Sequence, residues 1–404
     1  MDAAELAIIR TVVGIALLVF IARVLGTVFK HFKLPEVVGE VIAGMIFGPT
    51  ALGGAIYVLD APLIEHNELL TAFSVMGGII ILFAAGLEFT FADFRKAGVA
   101  AFVIGAAGVI VPFFLGFYGS TLILGFEWPA AALVGATLTA TSIAITIRVL
   151  EELKVNHTAE AKIMVNAAMI DDVLALAVLG VIASIVQGGT VPDPVQIIGV
   201  TVAAVGIWFV MLVAAVFILP RVVKVTTLWK SEGVVEPLAT ALAFGLAALA
   251  AIVGLSPIVG AFAAGMALAG SHAIHQIREY IDKLKLIFGP LFFAVVGSLF
   301  DLREVLSVDF GVVILITTLA IVSKLIGAGL PAMKLLKDRQ KGYRVGLGMI
   351  SRGEVGFIIA GLALANNIFD QGTYSAVLLA VMITTIVSPI WLRRAYRNNI
   401  PIPV

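Results

Sequence analysis

The sequence contains no cysteine, so disulfide bonds, thiolate metal sites and thiol catalysis are excluded. Charged residues are scarce: they make up 13% of the chain, whereas roughly a quarter is usual in a soluble domain. The 26 basic residues balance 26 acidic ones without a long basic run, which removes the electrostatic signature of a nucleic-acid-binding protein. Hydrophobic residues, in contrast, reach 61%. This composition excludes an ordinary soluble enzyme and predicts an all-α polytopic membrane protein.

Long apolar segments recur along the whole chain. A helix needs about 20 mostly apolar residues to cross a hydrocarbon layer of roughly 30 Å. The sequence predicts thirteen transmembrane helices, and we expect the first to stay in the mature protein. The predicted spans are Ala7–Phe29, Glu36–Thr50, Leu69–Phe89, Gly98–Leu124, Pro129–Leu150, Ile163–Gln187, Val195–Pro220, Val234–Gly254, Pro257–Gly270, Leu286–Phe300, Phe310–Met333, Val345–Ala365 and Tyr374–Leu392.

Basic residues in the connections predict the orientation, since short loops rich in Lys and Arg stay in the cytoplasm. The connections after odd-numbered spans carry nearly all of the loop Lys and Arg residues, whereas those after even-numbered spans contain only Arg303. We therefore expect a multi-pass protein of the cell membrane, with its N-terminus outside and its C-terminus in the cytoplasm.

Two parts of the chain resemble each other. Residues 34–45 match residues 255–266 at a constant offset, with Leu, Val, Ala, Met and two Gly in common. The two segments lie in spans of opposite direction, so the match predicts an inverted repeat. Chance recurrence of small residues in membrane helices is the alternative. Val134-Gly135 and Val345-Gly346 open corresponding stretches of the two proposed halves.

Ionisable residues deep inside spans are costly and usually serve transport. Asp171 and Asp172 lie in the sixth span and Lys324 lies in the eleventh. At ~1.5 Å per helical residue, Asp171 is roughly 12 Å and Lys324 roughly 14 Å from the cytoplasmic ends, so they can meet at one level. Neighbouring residues of a helix point about 100° apart, so one aspartate can face the lysine while the other faces a cavity. An ion pair that only joins two helices is the alternative.

This arrangement suggests a chemistry. A carboxylate in a water-filled half-channel can bind either a proton or a hard cation, and a nearby lysine competes as an internal counter-ion. Exclusive binding at a site that opens alternately to each side is exchange. The residues therefore favour cation/proton antiport.

The fifth and twelfth spans are predicted to be interrupted. Thr141 and Ser142 lie in a hydroxyl-rich stretch of the fifth, and glycines surround Arg352 and Glu354 in the twelfth. Helices that break within a membrane are tolerated where they line a cavity or are buried in protein. We expect Arg352 and Glu354 to neutralise the broken helix ends. Hydroxyl bonding within an unbroken helix is the alternative for Thr and Ser.

These motifs, taken together and in this order, resemble those of the monovalent cation:proton antiporters of the NapA and Kef kind, over nearly the whole chain. The matching segments are Leu34–Pro49, Thr139–Ser142, Asn166–Val173, Gly260–Gly265, Lys324–Gly327 and Ser351–Glu354. The resemblance implies an NhaA-like antiporter fold of thirteen helices, with an inverted repeat and crossed, partly unwound helices.

The resemblance also implies a division into domains and a homodimer. Residues 1–97 and 231–306 would form the dimerisation domain, 98–192 and 307–404 the ion-binding core, and 193–230 a linker helix. No nucleotide-binding domain follows in this sequence, so we expect no ligand gating of the Kef type.

Residue roles follow from the resemblance as well. Asp172 corresponds to the carboxylate that binds Na⁺ or H⁺, and Asp171 to the one that pairs with Lys324. Thr141, Ser142, Asn166, Arg352 and Glu354 would support the site, with no cofactor. The Asp-Asp form is similar to that of electrogenic Na⁺(Li⁺)/H⁺ antiporters of pH homeostasis, whereas Kef-type K⁺ systems tend to have Gln-Asp.

Other functions need different features. K⁺/H⁺ exchange and Na⁺-coupled symport of an organic anion remain alternatives, because carboxylate chemistry alone does not choose between them. An intramembrane aspartyl protease needs two carboxyls that share a proton across a substrate, but Asp171 and Asp172 diverge as neighbours on one helix. A channel is disfavoured because the sequence has no repeated carbonyl-filter motif.

Overall fold

The computed structural model describes residues 3–58, 61–65, 67–188, 194–227, 233–303 and 308–397. In these ranges the only sheet is a hairpin of two short strands, β1 (Tyr57–Val58) and β2 (Ala61–Pro62), and the rest of the regular structure is helical. Eight of the described helices are long and apolar enough to cross a membrane. Large apolar side chains, such as Leu122 and Ile252, face outward. The all-helical polytopic class predicted from composition is confirmed.

The helices are numbered in chain order. The first eight are α1 (Ala3–His31), α2 (Glu36–Phe47), α3 (Leu52–Ala55), α4 (Glu68–Gly86), α5 (Phe91–Leu124), α6 (Trp128–Thr137), α7 (Ile143–Glu152) and α8 (Ala159–Gly188). The others are α9 (Pro194–Thr227), α10 (Val235–Ile252), α11 (Pro257–Leu268), α12 (Ile274–Ser298), α13 (Phe310–Lys324), α14 (Leu330–Leu335), α15 (Arg339–Gly348), α16 (Glu354–Ala365) and α17 (Gln371–Tyr396).

Several helices depart from the predicted spans. A π-helical segment, Leu325–Gly329, joins α13 to α14 within one predicted span. Gly98, with φ 31° and ψ −116°, breaks α5 at the predicted start of the fourth span, a backbone conformation that favours glycine. The predicted domain junctions near residues 192, 230 and 306 fall outside the described residues.

The helices pack in two groups. Helices α1, α2, α4 and α10–α12 pack mainly on one another, while α5–α8 and α13–α17 form the second group. Helix α9 lies against α8 on one side and α10 and α11 on the other. Direct contacts between the groups are few, and the main ones join α2 to α7 and α17, and α4 to α7.

Glycine contacts in the first group repeat with the offset of the sequence repeat. A β-carbon on Gly39 of α2 would lie 2.6 Å from the carbonyl oxygen of Leu25 in α1. A β-carbon on Gly260 of α11 would lie 2.5 Å from the carbonyl oxygen of Leu246 in α10. Both distances are too short for a side chain, so α1 packs closely on α2 and α10 packs closely on α11 at matching positions of the sequence match.

The same offset relates the two glycines of a second pair of contacts, although not their partners. Gly44 of α2 packs on the backbone of Ala294 in α12, and Gly265 of α11 packs on the backbone of Phe83 in α4. Each half therefore inserts its short glycine-rich helix against the long helix of the other half. Only a residue without a side chain permits these backbone contacts.

Candidate ion-binding site

Two interrupted helices meet in the second group. Helix α6 ends at Thr137 and α7 begins at Ile143, while α15 ends at Gly348 and α16 begins at Glu354. The intervening residues are buried. Each break leaves backbone carbonyl and amide groups without helical partners inside the protein, where they must be paired.

The two breaks cross and pair with each other. The backbone N–H of Ser142 donates to the carbonyl oxygen of Ser351 at 2.8 Å. The hydroxyl of Thr146 donates to the carbonyl of Gly348 at 2.6 Å, and that of Thr141 donates to the carbonyl of Met349 at 3.3 Å. The hydroxyl residues of the first break therefore pair the carbonyls of the second.

Arg352 binds the unpaired carbonyls at the buried C-terminal end of α6. Its guanidinium donates to the carbonyls of Thr139 at 3.3 Å and Ala140 at 2.8 Å, and also to that of Ala320 in α13 at 3.3 Å. The side chain is 1% exposed. Because the C-terminal end of a helix carries partial negative charge, a buried guanidinium at this position stabilises the break.

Lys324 lies beside it at the end of α13. Its ammonium donates to Asp171 Oδ1 at 2.9 Å and to the carbonyls of Gly108 and Thr139 at 2.6 Å each. Lys324 and Asp171 are both fully buried. All three ammonium protons of Lys324 thus have acceptors, whereas Asp171 Oδ2 has no hydrogen-bond partner among the described residues.

Asp172 has different surroundings from its neighbour. Asp172 is 8% exposed, whereas Asp171 is 0% exposed, so of the two residues only Asp172 reaches the protein surface. The difference follows from the roughly 100° between successive helical residues. One aspartate is enclosed with the lysine and the other is reachable.

The two aspartates lie deeper along their helix than expected. Helix α8 begins at Ala159, about one turn before the predicted start at Ile163. Asp171 is therefore about 18 Å along the helix rather than roughly 12 Å. The charged residues Glu160 and Lys162 concealed this first turn from an argument based on apolar length.

The remaining predicted residues fall into two cases. Asn166 is fully buried, and its side-chain amide has no hydrogen-bond partner among the described residues. Glu354 is the first residue of α16, but its side chain lies outside the described residues.

The backbone acceptors of the site were not predicted from the sequence. The carbonyls of Gly108, Thr139 and Ala320 bind the two buried cations, yet any residue carries a carbonyl. The one available signal is the small residue at Gly108, where a β-carbon would lie 3.6 Å from Asp171 Oδ1 and 3.7 Å from Lys324 Nζ.

Comparison with known proteins gives consistent matches. Residues 16–397 match the family described as sodium/hydrogen exchanger, transmembrane. The high-affinity Na⁺/H⁺ antiporter NhaS3 of Synechocystis sp. is 30% identical over 98% of this chain and 92% of its own. The Na⁺/H⁺-K⁺ antiporter GerN of Bacillus cereus is 30% identical over 95% of each chain.

A solved structure has the same fold. The sodium proton antiporter MjNhaP1 from Methanocaldococcus jannaschii, at pH 8, superimposes with a TM-score of 0.67 over 95% of both chains. The sequence identity is 16%, so this likeness concerns the fold alone.

Proposed function

The chain belongs to the transmembrane sodium/hydrogen exchanger family, and from that premise we propose that it exchanges Na⁺ or Li⁺ for H⁺ at Asp172 by alternating access. The protein is a cation/proton antiporter and not an enzyme. The observation that carries the proposal is the pair of neighbouring aspartates, one enclosed with Lys324 and the other at a residue that reaches the protein surface.

Competition at Asp172 supplies the coupling. The carboxylate holds either a proton or a cation, because either guest neutralises the single negative charge that attracts the other. Among the described residues no three His, Asp or Glu side chains converge as a metal site.

Lys324 and Asp171 make the exchange electrogenic in this proposal. In the cation-loaded form, Na⁺ balances Asp172 and Lys324 balances Asp171. When both carboxyls are protonated and the lysine keeps its charge, the site carries one more positive charge. Exchange of the two forms then moves net charge across the membrane.

We further propose the architecture that the family resemblance implies: thirteen spans in an NhaA-like inverted repeat, with the second helix group as the moving core. The first group would hold a homodimer together, and residues 193–230 would link the two. The N-terminus would lie outside the cell and the C-terminus inside, and the exchange would serve pH homeostasis.

K⁺/H⁺ exchange is the second candidate, because GerN, at 30% identity, is named as an antiporter that also involves K⁺. Carboxylate oxygens do not distinguish Na⁺ from K⁺ unless the cavity around them is rigid and of defined size. The currents described next distinguish the two candidates.

Currents from proteoliposomes on a solid-supported membrane test the proposal, with Na⁺, Li⁺ and K⁺ jumps over a range of pH. We expect Na⁺ and Li⁺ currents in the natural protein and none in Asp172→Asn. Asp282→Asn is the matched control, because it removes an exposed carboxylate of α12. Full exchange by Asp172→Asn would remove Asp172 from the mechanism, and currents with K⁺ alone would favour the second candidate.

A further inference from the structure

Four charged residues join α2 to α7 and are here called the α2–α7 cluster: Glu36 and Glu40 of α2, and Arg148 and Glu152 of α7. The Arg148 guanidinium lies 3.1 Å from Glu36 Oε2, 3.6 Å from Glu40 Oε1 and 3.5 Å from Glu152 Oε1. Both carboxylate oxygens of Glu152 accept the backbone N–H of Glu36 at 3.1 Å. One arginine is thus surrounded by three carboxylates.

Glu40 is the unusual member of this cluster. It is 0% exposed, and neither of its carboxylate oxygens has a hydrogen-bond partner among the described residues. Buried carboxylates in a purely structural role are normally hydrogen-bonded, because an unpaired one is costly. Glu40 is attracted by the charge of Arg148, but the distance of 3.6 Å is too long for a hydrogen bond.

The cluster lies where the two helix groups touch. Helix α2 packs with α1 and α12 in the first group, whereas α7 packs with α8 and α17 in the second. Three other polar contacts cross the same boundary: Lys285 to Glu151 at 3.0 Å, Arg393 to the carbonyl of Leu34 at 3.2 Å, and Asn156 to the carboxylate of Glu88. A movement of one group against the other must separate Arg148 from Glu36 and Glu40.

Glu36 does not depend on Arg148 alone. Lys30 and Arg23 of α1 lie 2.5 Å and 3.3 Å from its carboxylate, and both belong to the same helix group as α2. Glu36 therefore keeps two cationic partners if α7 moves away. Glu40 is left with an unbalanced buried carboxylate, which attracts a cation from solution.

We infer that Glu40, with Glu36 at its side, is a second and transient binding site for the monovalent cation. When α2 and α7 are in contact, Arg148 occupies this site as a tethered cation. The inference rests on the proposed exchange and adds an entry site to it. Departure of Arg148 would open the route between α2 and α7 and create the acidic site in the same step.

Closure of the space between α2 and α7 can be tested by cysteine labelling, without measuring transport. The chain has no cysteine of its own to give background labelling. Ala144 is one turn before Arg148 on the same face of α7 and is 3% exposed. In an Ala144→Cys background, Arg148→Gln should speed labelling by a membrane-impermeant maleimide by about tenfold, the effect of losing roughly 1.4 kcal/mol of closing energy.

Two variants control for charge and folding. Arg148→Lys keeps the cation and should restore slow labelling. Lys283→Gln removes one positive charge from an exposed pair within α12 and should leave labelling slow. Equal labelling rates in Arg148→Gln and Lys283→Gln would overturn the inference, whether or not the proteoliposomes show exchange.

The binding site itself is tested in the Arg148→Gln variant, in which the arginine no longer occupies it. Arg148→Gln should lower the half-saturating Na⁺ concentration on the side where α2 begins by about fivefold, a typical coupling between competing cations. Adding Glu40→Gln to Arg148→Gln should reverse this gain. A double variant that keeps the improved half-saturation would overturn the assignment of Glu40, while the Asp172→Asn result would still decide the exchange itself.

Discussion

Replacement of Lys324 by glutamine is the sharpest test of the buried pair. The change removes an ammonium that donates to Asp171 at 2.9 Å and to two carbonyls at 2.6 Å. The carboxylate of Asp171 is fully buried and would lose its counter-ion. Breaking a buried ion pair from one side costs about 3–5 kcal/mol. We therefore expect Lys324→Gln to be among the least stable variants of this chain.

The double variant Lys324→Gln with Asp171→Asn separates the cost of an unpaired charge from the value of the pair. Two neutral amide groups of similar size leave no buried charge, and replacing a whole buried pair is often close to neutral. We expect the double variant to recover most of the lost free energy of unfolding. Thermal melting of the purified protein in detergent measures both.

A second buried pair serves as the control for stability. Arg344 lies 3.0 Å from Glu160, and both are almost fully buried. Glu160 precedes Asp171 by 11 residues, or roughly 16 Å along α8. Arg344→Gln should lower stability by a similar amount and leave currents electrogenic. Lys324→Gln should make any remaining exchange electroneutral, because Asp171 then stays protonated in both loaded forms.

Two results would refute this reasoning. One is a Lys324→Gln protein that melts with the natural protein and gives unchanged currents. The other is a double variant no more stable than Lys324→Gln, which would place the lost stability in the carbonyl contacts rather than in the ion pair.

Two further perturbations follow from the geometry. Gly353→Ala places a β-carbon 2.8 Å from the hydroxyl oxygen of Ser142, and we expect it to lower the free energy of unfolding by about 1–3 kcal/mol. The second change Ser142→Gly should relieve this loss, and Gly361→Ala should not show it, because a β-carbon there meets nothing within 4 Å. Equal melting temperatures for Gly353→Ala and the natural protein would contradict the contact between the two breaks. Burial, together with the carboxylate of Glu151, raises the pKa of Glu88, just after α4, to about 7, although Lys285 and Arg278 oppose the shift. The folded protein therefore binds the Glu88 proton more tightly than the unfolded chain does. The stability that this protonation contributes is present below pH 4.5 and is lost as the pH rises through 7. Glu88→Gln should flatten the decline in melting temperature between pH 5 and 8, and parallel pH curves for the two proteins would reject this assignment.

The sequence was informative wherever the physical cause is local. Apolar length predicts α1, α4 and α10 because a membrane helix must hide its backbone in one continuous segment. The cost of charge in lipid singles out Asp171, Asp172 and Lys324 before any contact is known. The hydroxyl and glycine stretches predict the two breaks because those residue types weaken a helix or pair its free carbonyls.

Features that depend on distant partners were not predictable in the same way. Glu40 is recognisable as an interior charge, but its proximity to Arg148 arises from the packing of α2 against α7, over a hundred residues apart in the chain. The π-helical segment after Lys324 likewise has no separate signature, since Leu325–Gly329 reads as ordinary membrane helix. Helix starts that carry charge, as in α8, are hidden from an argument based on hydropathy.

The proposed inverted repeat accounts for the asymmetry of the site. The alignment of Val134-Gly135 with Val345-Gly346 makes Thr141 of the first break the counterpart of Arg352 in the second. The backbones cross as equivalents, yet one break contributes hydroxyls and free carbonyls while the other contributes a guanidinium that binds those carbonyls. Two like-charged breaks would repel each other, and two neutral ones would leave the end of α6 without a cation. In the proposed repeat, divergence of the two breaks at this position therefore allows both to be buried beside the aspartates.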